Sequence, residues 1–98
     1  MELSSSEETY TVEDAKEIVR YAMVRGVRVI PEIDSPGHAY SWSLAPENKE
    51  LGCTLLVSKY RGPLDITLSR VYQVVKEIYQ ELNEIFIDPY IHLGGDEV

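Results

Sequence analysis

Apolar and polar residues along this 98-residue chain follow two different periods. Val12, Ala15, Ile18, Val19, Ala22 and Met23 recur at helical spacing and predict an amphipathic helix. Thr11 is its N-cap signal. Asp14, three positions later, resembles the second half of a capping box with the shorter acid. Gly26 suits the C′ position, with Arg25 in the last turn beside the negative end of the helix. "VRVIPEID", residues 27–34, follows directly and is rich in β-branched residues, so it predicts a strand. Period two puts Val27, Val29, Pro31 and Ile33 on one face, and Arg28, Ile30, Glu32 and Asp34 on the other. Pro31 cannot donate to a ladder, so an irregularity is expected there.

Residues 35–66 show no sustained period, and a connection that long inside a compact domain is often functional. A second helix is predicted from about Leu68 to Phe86, capped by Thr67 or Asp65. Its apolar stripe comprises Leu68, Val71, Tyr72, Val75, Ile78, Tyr79, Leu82 and Phe86. Pro89 ends it, and "YIHL", residues 90–93, reads as a second short strand. The order helix-strand-helix-strand implies parallel pairing through right-handed crossovers. Two parallel strands leave both faces and both edges uncovered. The fold class is therefore α/β, as a segment of a TIM (β/α)8 barrel: about two of the eight units of a fold that takes about 250 residues. Residues 1–9 read as a frayed end and residues 10–98 as the partial barrel domain. No internal repeat interrupts it.

Charge narrows the partners. A net charge of −8 leaves no basic patch for nucleic acid or for an anionic membrane surface. No apolar run reaches membrane-spanning length. "MELSSSEET" lacks the basic and apolar regions of a signal peptide. Cys53 is the sole cysteine, read either as an unpaired loop thiol or as half of a disulfide whose partner lies elsewhere.

In a parallel α/β architecture the functional residues sit just past the carboxyl ends of strands. The first predicted strand runs into "EIDSPGHAYSW" and the second into "HLGGDEV". Asp96 and Glu97 are adjacent, so they point in different directions and can hold different protonation states. One can stay ionised while the other serves as a general acid. The alternative is an exposed turn. Gly94 and Gly95 leave space, so a ligand can approach the backbone closely. Asp34 either folds back on the Pro36-Gly37 turn or orients His38 and fixes its tautomer. His92 shares a strand face with Gly94 and Asp96, as a buried structural histidine or as a catalytic one. Trp42 is either core or a platform for a ligand. These histidines and acids match no local metal-ligand spacing, and no HExxH or paired-cysteine motif is present, so no metal and no cofactor are expected.

Together, "RGVRVIPEIDSPGHAYSW" (25–42), Gly62-Pro63 and "YIHLGGDEV" (90–98) resemble the β-N-acetylhexosaminidases of glycoside hydrolase family 20, the group that includes the lysosomal hexosaminidases. The likeness runs from about Tyr10 to Val98. It implies a TIM-barrel catalytic domain that hydrolyses terminal β-linked N-acetylglucosamine or N-acetylgalactosamine from glycans. It also implies substrate-assisted retaining catalysis, a stated exception to the two-carboxylate scheme. The substrate's own acetamido oxygen then attacks the anomeric carbon. The resemblance assigns Glu97 as general acid and later base, and Asp96 as the group that orients the acetamido and stabilises its charge. Asp34 and His38 match supporting residues. Trp42 and His92 are matched to the substrate side.

The same resemblance pairs Cys53 with a cysteine shortly after the "DEV" motif, and implies a lysosomal or secreted setting and a full enzyme that can form a homodimer. The family's substrate-gripping arginine and pocket tryptophans lie on strands absent from this segment, so these residues alone are expected to be inactive. Two other readings compete: a non-catalytic carbohydrate-binding or pseudoenzyme product on this scaffold, and a different, metal-dependent TIM-barrel hydrolase.

Overall fold

The computed structural model describes residues 9–44, 46–52 and 63–96. The sequence expectations for Met1–Glu8, Cys53, Gly62, Glu97 and Val98 lie outside those residues.

The first helix, α1, spans Val12–Met23. Thr11 stays extended and accepts a hydrogen bond through Oγ1 from the Asp14 backbone N–H at 3.1 Å. Asp14 Oδ2 accepts in return from the Thr11 backbone N–H at 2.8 Å and its hydroxyl at 2.7 Å. The capping box read from the sequence is therefore complete, and the Thr11 donors hold the Asp14 carboxyl below its ordinary pKa. At the other end the Val27 N–H donates to the Ala22 carbonyl and the Gly26 N–H to the Met23 carbonyl, both at 3.0 Å. That pair is a Schellman motif with Gly26 at C′, in the left-handed region at φ +69°.

The second helix, α2, spans Ser69–Ile85. Neither expected cap acts as one. Asp65 Oδ1 accepts from the Thr67 N–H at 3.0 Å and the Thr67 hydroxyl at 2.6 Å, which closes a local turn, and Leu68 takes the N-cap position without a side-chain bond. Between the helices, two 3₁₀ helices occupy Tyr40–Leu44 and Pro46–Leu51. The Leu64 N–H donates to the Pro36 carbonyl at 2.9 Å, and the Asp65 N–H to the Leu51 carbonyl at 2.8 Å. The aperiodic stretch is thus tied at both ends. Ala39, Leu51, Leu64 and Val71 form the buried cluster, with Trp42, Leu68, Val74 and Val75 packed on it.

The two predicted strands reduce to a single parallel rung. Among the described residues no strand forms over 27–34 or 90–93; the segments run parallel and meet in a single bridge, Glu32 to His92. The His92 N–H donates to the Pro31 carbonyl at 2.9 Å, and the Ile33 N–H to the His92 carbonyl at 3.3 Å. Pro31 therefore contributes the acceptor it has, but the next rung down needs the N–H it lacks. The Tyr90 N–H on that side is taken by Asp88 Oδ1 at 3.0 Å. On the upper side the Gly94 N–H turns to His92 Nδ1 at 3.1 Å, while the Ile33 carbonyl accepts from the Tyr79 hydroxyl at 3.3 Å. Local side-chain partners thus end the ladder in both directions.

The apolar stripes are only partly covered. On α1 Val19 is buried, while Val12, Ile18 and Met23 are exposed; on α2 Val71 is buried and Tyr72 exposed. An open apolar cleft of about 300 Å³ lies between α1 and the starts of the two extended segments, lined in part by Val19, Met23, Val27, Val29 and Ile87.

Gly26→Ala tests the C′ assignment. A Cβ there meets no atom within 4 Å, so the cost is purely backbone strain. We expect about 1 kcal/mol of lost stability, read by chemical denaturation of a protein of full family length carrying this segment.

Candidate active site

The parallel bridge aligns the ends of the two extended segments, and there Asp34, His38 and the Gly95 backbone come together. Asp34 Oδ1 accepts from the Gly95 backbone N–H at 2.8 Å, across 61 positions of sequence. Its other oxygen, Oδ2, lies 2.7 Å from His38 Nδ1. One carboxylate thus joins the "DSPGH" turn to the "GGDE" turn. Asp34 is only 24% exposed, and both oxygens are engaged. The Gly95 N–H, and after it His38, hold its carboxyl below the ordinary carboxylate range. An ionised carboxylate only accepts, so Nδ1 of His38 is the donor in this contact.

Backbone geometry supports the contact from both sides. His38 sits at φ +52°, in the left-handed region that a histidine visits at some cost. That conformation swings its ring back onto Asp34, four residues earlier. Gly94 and Gly95 also have positive φ, at +64° and +81°. A Cβ on Gly94 would collide with the Asp34 carboxylate and stand 2.8 Å from its Cα. The first of the two glycines is therefore required by the close approach of Asp34, which is a sharper reason than open space for a ligand.

The other site residues separate into two groups. Asp96 follows directly on the anchored Gly95 and is exposed. Glu97 lies outside the described residues. His92 is 64% exposed in this segment. Its Nδ1 faces Glu32 Oε1 at 3.3 Å and accepts from the Gly94 N–H. Trp42 packs against the buried cluster, as the core alternative had it. Among the described residues no three of His, Cys, Asp and Glu gather into a group that could hold a metal ion, and no helix is long and apolar enough to cross a membrane. Sequence reasoning missed the Gly95 N–H, a backbone donor without a side-chain signature, and the Arg28–Asp88 pair described below.

The family model for the glycosyl hydrolase family 20 catalytic domain matches residues 1–98. The β subunit of mouse β-hexosaminidase is 41% identical over 91 residues, which are 91% of this chain and 17% of that protein. Arabidopsis thaliana β-hexosaminidase 1 is 44% identical over 93 residues, 93% of this chain and 16% of that protein. The chain therefore spans about a sixth of the length of these curated relatives. Among solved structures, Flavobacterium johnsoniae chitobiase superposes with a TM-score of 0.77 at 32% identity, covering 97% of this chain and 15% of that one. An exo-β-N-acetylglucosaminidase from Vibrio harveyi, solved with N-acetylglucosamine, gives 0.71 at 29% identity, covering 91% and 15%.

Two outcomes are expected here. Gly94→Ala forces Asp34 away and should lower activity of a full-length enzyme by about 100-fold, since a displacement of about 1 Å suffices for that; wild-type rates would refute the contact. The lowered Asp34 pKa gives the second. Its stabilising bonds are fully present above the unfolded value of about 3.9 and are lost as pH falls through the lower folded value. The stability gap between wild type and Asp34→Asn should therefore hold at neutral pH and shrink only as denaturation is repeated at pH values falling below about 3.9.

Proposed function

The chain belongs to glycosyl hydrolase family 20, and on that footing we propose that it is the acid-bearing part of an enzyme that removes terminal β-linked N-acetylhexosamine from glycans. One observation carries the reading: the Asp34 carboxylate bonds both to His38 and to the Gly95 N–H, immediately before Asp96 and Glu97. The two motifs that the family resemblance rests on meet at one atom group.

The chemistry follows from the carboxylates. Glu97 protonates the leaving oxygen and then takes a proton from the incoming water. Asp96 accepts from the substrate's acetamido N–H and turns its carbonyl oxygen toward the anomeric carbon. The acetamido group then acts as nucleophile, in place of a second protein carboxylate. The Asp96 negative charge stabilises the positive charge that develops on the acetamido group. Asp34 holds the Gly95 backbone that leads into Asp96, and its other oxygen orients the His38 ring through Nδ1. His92 and Trp42 take the substrate side only if the surrounding units bring sugar to them. Those units are the rest of a (β/α)8 barrel, whose packing covers the apolar faces of α1 and α2. A lysosomal or secreted location and a homodimer of the full enzyme belong to the same proposal.

An enzyme of full family length carrying this segment should hydrolyse a chromogenic N-acetylglucosaminide, and Glu97→Gln should lower kcat by a factor of about 100 to 10,000. The 98-residue chain alone should show no turnover. Turnover by the isolated chain, abolished in Glu97→Gln, would show that the remaining barrel is dispensable.

A further inference from the structure

We propose that Arg28 and Asp88 form a register clamp whose function is to position the ends of the two extended segments that lead into the site; this rests on the reading of Asp96 and Glu97 as the catalytic acids. The Arg28 guanidinium grips Asp88 with both prongs, Nε to Oδ2 at 2.6 Å and Nη2 to Oδ1 at 2.8 Å. The Asp88 side chain is 8% exposed although it is charged. The same Oδ1 accepts from the Tyr90 N–H at 3.0 Å, and the guanidinium lies 5.2 Å from the Tyr90 ring centre. Arg28 draws the Asp88 carboxyl below its ordinary pKa and is itself raised by it, so the pair stays doubly charged.

Position makes this pair more than an ion pair. Arg28 and Asp88 are 60 residues apart, and so are the bridged Glu32 and His92. The same offset sets Asp34 beside Gly94. Three cross-links thus share one register along the two segments. The bridge between them is a single pair with no ladder on either side, so backbone hydrogen bonds alone hold the register weakly. A slip of one residue would shift the segments by about 3.3 Å and turn every side chain to the opposite face. Gly95 would then no longer meet Asp34. The bidentate fork tolerates no such slip, because it fixes both distance and angle. It lies about 13 Å below the bridge, at four residues of extended chain, and touches none of the site residues. Arg28 and Asp88 are therefore positioning residues.

The test uses an enzyme of full family length carrying this segment. Arg28→Lys keeps the charge and loses the fork; Asp88→Asn removes the charge; the exchange of Arg28→Asp with Asp88→Arg restores a pair. Rates are normalised to folded enzyme and measured on a 4-nitrophenyl and a methyl N-acetylglucosaminide. Protonation by a well-placed acid matters far more for the methanol leaving group than for nitrophenol. The clamp predicts that the single variants lose at least about tenfold more rate on the methyl glycoside than on the nitrophenyl one, and that the exchange regains part of it. Equal losses on both substrates, or no loss in Arg28→Lys and Asp88→Asn, would overturn it. Glu97→Gln, run beside them, separates the failures. If that variant stays active, the reading of the acids fails and the clamp falls with it. If it is inactive while the clamp variants lose both substrates equally, only the clamp is refuted.

Discussion

The Asp34 carboxylate gives one oxygen to each of two chain segments, and the organisation of the strand ends depends on that division. Oδ1 holds the Gly95 N–H and Oδ2 holds Nδ1 of His38. Both partners donate, so both favour the ionised form. The constraint is steric as well as electrostatic. It requires a residue without a side chain at Gly94 and a left-handed backbone at His38. Turn chemistry, close packing and charge thus converge on one short region, immediately before Asp96 in the sequence.

Such a contact is useful only if the two segments keep their alignment. A parallel pair is ordinarily aligned by a ladder, and here the ladder is one rung long. Pro31 withholds the N–H below it, and His92 diverts the Gly94 N–H above it. The alignment falls instead to side chains at the two ends: Arg28 with Asp88 below, Asp34 with the glycines above. Tyr79, reaching from α2 to the Ile33 carbonyl, adds a third tie from the helix layer. The buried cluster around Ala39, Leu51, Leu64 and Val71 anchors the connection between the turn and α2, so the loop that carries His38 is built on a packed base.

Local signals were the legible part of this chain. The Thr11–Asp14 box and the Gly26 terminus involve residues a few positions apart, and both form as the sequence predicts. The Asp34–His38 pair, four residues apart, forms too. What sequence reading missed involves competition or distance. Period two marks residues 27–34 as strand-like, but pairing depends on which N–H groups remain available, and Asp88 and His92 claim two of them. Asp65 and Thr67 both have the chemistry of a helix cap, and they bond to each other instead. Trp42 could serve core or ligand on composition alone, and its position on the Ala39 cluster follows from the two 3₁₀ turns that no period announces. Arg28 and Asp88 are unremarked charges in the sequence because nothing local relates residues 60 apart.

The most direct measurement is the backbone amide resonance of Gly95, followed by selective ¹⁵N-glycine labelling through the acid titration of a full-length enzyme carrying this segment. If Asp34 holds the two turns together, the Gly95 amide shifts with the ionisation of that carboxylate. Its midpoint should lie below the ordinary aspartate value of about 3.9, and the response should vanish in Asp34→Asn. A Gly95 amide that stays fixed through the titration, or that moves identically in Asp34→Asn, would contradict the cross-link on which this account of the strand ends is built.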